Sequence, residues 1–290
     1  MCDEHTVEDN EAFFKKSGDL SRRGFGVMSA AMLAACATSP ANAKEVVESE
    51  VKIKTADGEA DAYFVHPASG KHPAVLIWPD IMGLRPAFRV MGKRLAESGY
   101  SVLVVNPFYR KAQGEVFHAG EAFSDPAVRS RLVALMQSLN PAGTKVDAVA
   151  FLGFLDAQKS VDTKRMAGTM GYCMGGPLVV RTAAAVPNRI GAVGSFHGGG
   201  LVTKTPDSPH LLIASTKASY LFAIAENDDK SQPDAKTVLR ETCDAAKRPA
   251  EIEVYAAQHG WCPPDSAVFN QELADKAWSR MLATFETALA

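Results

Sequence analysis

The chain has 290 residues, with 31 lysines and arginines against 33 aspartates and glutamates, a formal net charge of −2. That balance carries no electrostatic footprint for nucleic acid, and no run reaches the roughly 20 apolar residues of a membrane span. A composition 47% hydrophobic and 22% charged excludes disordered, collagen-like and coiled-coil classes.

Residues 1–43 read as an export leader. Ser21-Arg22-Arg23-Gly24-Phe25 precedes an apolar stretch over 26–37, and Ala41-Asn42-Ala43 supplies a small-x-small cleavage site. The arrangement is similar to a twin-arginine signal, so a periplasmic or otherwise exported protein is expected. Leu33-Ala34-Ala35-Cys36 also resembles a lipobox, and a membrane anchor is expected only if Cys36 is lipidated. Cleavage after Ala43 leaves 247 residues. The leader's six acids and four bases, taken from 33 and 31, leave 27 charges of each sign. Residues 44–290 are enough for one core, and are read as one catalytic domain acting as a monomer or dimer.

The body alternates strand and helix. Val51-Lys52-Ile53-Lys54, the turn signal Asp57-Gly58, and the run from Ala62 to Val65 predict an antiparallel pair. Ala74 to Trp78 is continuously apolar, as in a strand buried on both faces. Pro86 to Glu97 predicts a helix, with Phe88, Met91 and Leu95 on one side. Ser101 to Val105 is the next strand, and Asn106 to Pro126 is a loop or lid. Helices are expected over 128–139, 146–158, 174–186, 236–246 and 268–289. Strands are expected over 165–170, 191–196, 219–225 and 251–255. This order predicts an α/β fold, a mostly parallel sheet with helices on both faces.

The chemistry-bearing residues fall at strand ends. Gly171-Tyr172-Cys173-Met174-Gly175 joins a predicted strand to a predicted helix, the spacing of a nucleophile elbow with Cys as nucleophile. The following helix aims its N-terminus at the thiol, which lowers a thiol pKa and makes the Met174 N–H a candidate oxyanion donor. A thiol nucleophile needs a base oriented by a third group. In this fold class the order is nucleophile, acid, histidine. Glu226-Asn227-Asp228-Asp229 follows a strand and offers Asp228, with Asp229 the close alternative. His259, in Gln258-His259-Gly260-Trp261, is the candidate base.

These segments, with Pro79-Asp80-Ile81-Met82-Gly83-Leu84, resemble the dienelactone hydrolase family, a branch of the α/β hydrolases, over roughly 51–289. The resemblance implies hydrolysis of a small-molecule ester or lactone by a Cys173–His259–Asp228 triad, without metal or organic cofactor. It implies a second oxyanion N–H near Ile81. Asp80 stands where the family commonly has a Glu that controls the thiol; a helix-start or turn carboxylate is the other reading. Trp261-Cys262-Pro263-Pro264 replaces the segment carrying the family's substrate-carboxylate Arg, leaving Arg110, Arg129 and Arg131 as possible substitutes. Tyr172 and Trp261 are expected to shape the pocket. His197, at a strand C-terminus, either lines the pocket or caps loop carbonyls.

The mature chain keeps Cys173, Cys243 and Cys262. One pair plus one free thiol would suit an oxidising compartment, with Cys243–Cys262 the candidate bridge. No closely spaced Cys/His set predicts a structural zinc site. A broad carboxylesterase or thioesterase, and a non-catalytic binding protein on the same fold, are the alternative readings.

Overall fold

The computed structural model describes residues 8–10, 12–13 and 42–290. The paired arginines, the lipobox and Cys36 lie outside the described residues.

β1 (Val46–Thr55) and β2 (Gly58–Pro67) form the expected antiparallel hairpin, closed at Thr55 opposite Gly58. β3 (Ala74–Trp78), α1 (Pro86–Glu97) and β4 (Ser101–Val105) follow with the expected bounds. Proline at the first helical position presets φ where the N–H has no partner, and it starts α1, α2 (Pro126–Gln137) and α3 (Pro141–Asp156). Asp125 and Asn140 cap the last two through their side chains. Next come β5 (Ala167–Tyr172), α4 (Gly175–Ala185), β6 (Ile190–Phe196) and a 3-10 turn over Pro209–Ser215 absent from the sequence expectations. β7 (Ser219–Ala225), α5 (Glu226–Ser231), α6 (Ala235–Ala245), β8 (Ala250–Tyr255) and α7 (Gln271–Ala288) complete the chain. The acidic segment after β7 is thus the short helix α5.

Eight strands form one sheet in the order β1-β2-β4-β3-β5-β6-β7-β8, antiparallel across β1, β2 and β4 and parallel from there on. Successive strand side chains alternate faces, so the sheet has two apolar layers. In one layer Trp78, Leu76 and Leu103 belong to a cluster with Phe151 of α3, Val179 of α4 and Leu239 of α6. Ile77, Val75 and Val104 face α1 and α7, against Phe88, Leu95, Met281 and Phe285. A third cluster at the C-terminal ends of the strands joins Ile81, Phe108, Val128, Cys173 and Met174. Ligand crevices of open α/β sheets form at these ends.

The candidate Cys243–Cys262 bridge is absent. Both thiols are free and buried, Cys243 in the layer under α6 and Cys262 in the layer on the opposite face. The sheet stands between them.

Among the described residues, no helix is long and apolar enough to cross a membrane.

Candidate active site

Between β5 and α4 the chain reverses over Cys173. Its φ of +52° lies in the left-handed region that a residue with a Cβ rarely adopts. The turn is held by the Cys173 N–H donating to the Phe196 carbonyl and by the Gly176 N–H donating to the Cys173 carbonyl, both at 3.0 Å. The neighbouring glycines are sterically required. A Cβ on Gly171 would stand 2.2 Å from the Gly175 carbonyl oxygen, and one on Gly175 would stand 2.4 Å from that of Trp78. The elbow is therefore pressed against the end of β3, and Ile81 shares a cluster with Cys173 and Met174.

His259 sits in the loop after β8 and is 3% exposed. Its Nδ1 lies 2.9 and 2.8 Å from the two carboxylate oxygens of Asp228, which α5 carries. Asp229, the alternative left open by the sequence, accepts from Lys236 at 2.7 Å. Asn227 was not anticipated. Its Oδ1 accepts the His259 backbone N–H at 2.8 Å, so α5 fixes both the ring and the main chain of the histidine loop.

The His259 side chain also hydrogen-bonds Cys173. Burial alone would lower the imidazole pKa. The negative charge of Cys173, then the charge and hydrogen bond of Asp228, outweigh it and raise the group to about 10. His197 packs edge-on against the same ring, with centroids 5.1 Å apart. Burial, then the His259 charge, push His197 well below the ordinary histidine range, so it is neutral. Its backbone is also left-handed, at φ +41°, and both ring nitrogens lack a hydrogen-bond partner among the described residues.

Asp80 is buried and faces a guanidinium. Arg85 Nη1 and Nη2 donate to its two oxygens at 2.7 and 3.0 Å, while Oδ1 also accepts the Met82 N–H at 2.9 Å. Arg85 spends its other face on Asp265, from Nε at 2.6 Å and Nη2 at 2.9 Å. Burial raises the Asp80 pKa against the pull of Arg85, and Cys173 and Asp265 raise it further. Asp80 is thus a turn carboxylate by hydrogen bonding and an electrostatic neighbour of the thiol. Arg85 and Asp265 were missed in the sequence because they stand 180 residues apart.

A cavity of about 270 Å³ opens over Cys173 and Met174 between α2, α3 and α4 and the loop at Gly199 and Gly200. Tyr172, His197 and Trp261 are not among its lining residues. Tyr172 stacks on Phe196 at 4.8 Å, and Trp261 on Tyr255 at 5.2 Å, in the layer behind the elbow. Of the possible carboxylate binders, Arg110 is held by Asp57 and Asp147 and Arg131 by Glu121. Neither they nor Arg129 line the cavity. Among the described residues, no cluster of three His, Cys, Asp or Glu stands where it could hold a metal ion.

Comparison with known proteins bears on the family and the fold. The carboxymethylenebutenolidase of Rhodococcus opacus is 26% identical over 238 residues, covering 78% of this chain and 86% of that one. A Klebsiella pneumoniae crystal structure assigned as a dienelactone hydrolase superposes with a TM-score of 0.72 at 24% identity, over 84% of this chain and all of that one. The dienelactone hydrolase from Anabaena variabilis superposes with a TM-score of 0.59 at 15% identity, over 84% of this chain and 99% of that one. These structures share the α/β-hydrolase fold. The sequence profile of the dienelactone hydrolase family matches residues 60–289, and the chain belongs to that family.

Proposed function

We propose that this dienelactone-hydrolase-like hydrolase cleaves a small-molecule ester or lactone by acyl transfer to the Cys173 sulfur. The observation that carries the reading is the relay from Asp228 through His259 to Cys173 at the mouth of a cavity. The thiolate attacks the carbonyl carbon, and the carbonyl electron pair moves to oxygen. The Met174 and Ile81 N–H groups stabilise that oxyanion. The C–O bond breaks as the intermediate collapses, and imidazolium His259 gives its proton to the leaving alkoxide, leaving a thioester.

The electrostatics support the second half as well. The largest influence holding His259 protonated is the charge on Cys173. Acylation removes that charge, so the imidazole pKa falls and the ring can take a proton from water. Hydroxide attack on the thioester then releases the acid and restores the thiolate–imidazolium pair. His197, neutral beside the ring, adds no charge that would oppose either step.

The test is a panel of p-nitrophenyl esters, a thioester and unsaturated lactones with and without a carboxylate, under reducing conditions. Wild-type turnover that disappears in a folded Cys173→Ala variant is expected. Undiminished turnover in that variant would overturn the reading. The preferred member separates a lactonase from a broad carboxylesterase or thioesterase.

A further inference from the structure

The two edges of the sheet are finished differently. β8 carries Glu251 and Glu253, which pair with Arg280 and Lys276 of α7. Antiparallel pairing of β8 with its own copy would set acid against acid, which is unfavourable. β1 has no such cover. It is 10 residues long and pairs only with β2 among the described residues. Val47, Glu48, Ser49, Glu50, Lys52 and Lys54 are exposed along it.

The hairpin fixes which backbone groups face outward. Thr55 and Gly58 close a two-residue turn, so their N–H and C=O groups bond each other. Alternation then turns the odd-numbered residues toward β2. The Glu45 carbonyl obeys it, accepting the Ala68 N–H at 2.8 Å. Val46, Glu48, Glu50, Lys52 and Lys54 therefore present N–H and C=O to the open edge. A long edge strand with open backbone groups is a template for another strand.

The side chains select the strand that fits. The even positions share one face and run acid, acid, base, base from Glu48 to Lys54. Laid antiparallel on its own copy about Val51, β1 sets Glu48 opposite Lys54 and Glu50 opposite Lys52, each twice. These same positions carry the outward backbone groups, so charge and hydrogen bonding choose one register. A slip of one residue sets outward groups against inward ones. A slip of two sets Glu50 against Glu50 or Lys52 against Lys52. Lys54 already faces Glu59, and Lys52 faces Asp61, across β2. Acids and bases would thus alternate from β2 through β1 to the second copy. Arg89 and Lys93 of α1 reach Glu50 and Glu48, and a carboxylate has acceptor sites for two bases. On the other face, the exposed Val47 would meet Thr55.

We propose that β1 is a homodimerisation edge, on which two copies of this chain pair antiparallel about Val51 and join their sheets. One strand per partner is small beside the roughly 800 Å² per side of a standard interface, so the dimer exchanges with monomer. Three strands separate β1 from β5, which carries the elbow.

Sedimentation velocity of the full chain, from micromolar to near-millimolar concentration at low ionic strength, tests this. A monomer–dimer equilibrium is expected. Glu50→Lys turns two cross-strand pairs from opposite to like charge and should weaken the dimer by about tenfold or more. Adding Lys52→Glu to the same chain makes the pairs opposite again and should recover it. Circular dichroism checks that each variant is folded. A monomer throughout, a dimer unchanged by Glu50→Lys, or no recovery in the double variant would overturn the proposal. The register has its own readout. Val51→Cys places two thiols at the two-fold pair with Cα atoms about 4.5 Å apart, within disulfide reach, and mild oxidation should link them. Ser49→Cys places them four residues out of line, about 13 Å apart, and should not bridge. Peptide mass spectrometry separates these links from those of the native cysteines. Bridging through Ser49→Cys but not Val51→Cys would overturn the pairing.

Discussion

Asp228 holds His259 with both carboxylate oxygens, at 2.8 and 2.9 Å from Nδ1, while its chain neighbour Asp229 is held by Lys236. The division follows from α5. Two adjacent helical residues point about 100° apart, so only one can face the histidine loop.

This separation gives an expected contrast. Asp228→Asn should lower kcat by about 10³–10⁴-fold, because an amide favours the wrong imidazole tautomer and cannot balance the imidazolium. Asp229→Asn loses only a partly exposed ion pair, and its kcat/KM should stay within about threefold of wild type. Steady-state kinetics on one ester, with circular dichroism as a folding control, decides between them. Equal losses would assign no special role to Asp228.

The His259 electrostatics predict a pH dependence. With the imidazole held protonated up to about 10, its positive charge faces Cys173 across the neutral range. A neighbouring cation favours the thiolate. Iodoacetamide should therefore alkylate wild-type Cys173 at a rate nearly flat between about pH 7 and 9, below the titration of its partner. In His259→Asn the rate should climb with pH around the ordinary thiol value of about 8.5. Labelling of Cys173, followed by mass spectrometry of its peptide, gives both profiles. Superimposable profiles would mean that His259 does not set the charge of this thiol.

Much of this architecture was legible before the structure. β3 is an uninterrupted apolar run, β4 and β7 are apolar after a leading serine, and α1 is framed by Pro86 and Gly99, so their bounds follow from burial and chain stereochemistry. The elbow was legible because Gly171 and Gly175 face backbone that excludes a Cβ. What stayed hidden depends on contacts between distant segments. Arg181 sits in an Ala- and Val-rich helix that reads as core, and only the meeting of α2, α3 and α4 turns its position into a cavity wall. Cys243 and Cys262 are compatible with a bridge in sequence, and only the intervening sheet excludes one. Tyr172 adjoins Cys173 and Trp261 follows His259 by two residues, yet alternation at the strand end and the histidine loop turn both into the layer behind the elbow.

The Asp80–Arg85–Asp265 cluster carries a stability prediction. Arg85 is 1% exposed, and its guanidinium is shared by two carboxylates. Arg85→Met leaves both without a counterion, and Asp80 is buried, so the variant should lose about 3–5 kcal/mol. The loss should depend on pH with a definite sign. Burial already raises the Asp80 pKa against the pull of Arg85, and removing Arg85 raises it further. A carboxylate with a raised folded-state pKa costs nothing below its unfolded value of about 3.9, where it is protonated in both states. The cost grows as pH rises from there through the raised folded value. The urea midpoint of Arg85→Met should thus lie far below wild type at pH 7 and approach it toward pH 4. Adding Asp80→Asn keeps an acceptor for the Met82 N–H and removes the stranded buried charge, so part of the neutral-pH loss should return. A deficit in Arg85→Met that is the same at pH 4 and pH 7, and unchanged by Asp80→Asn, would assign Arg85 to packing alone.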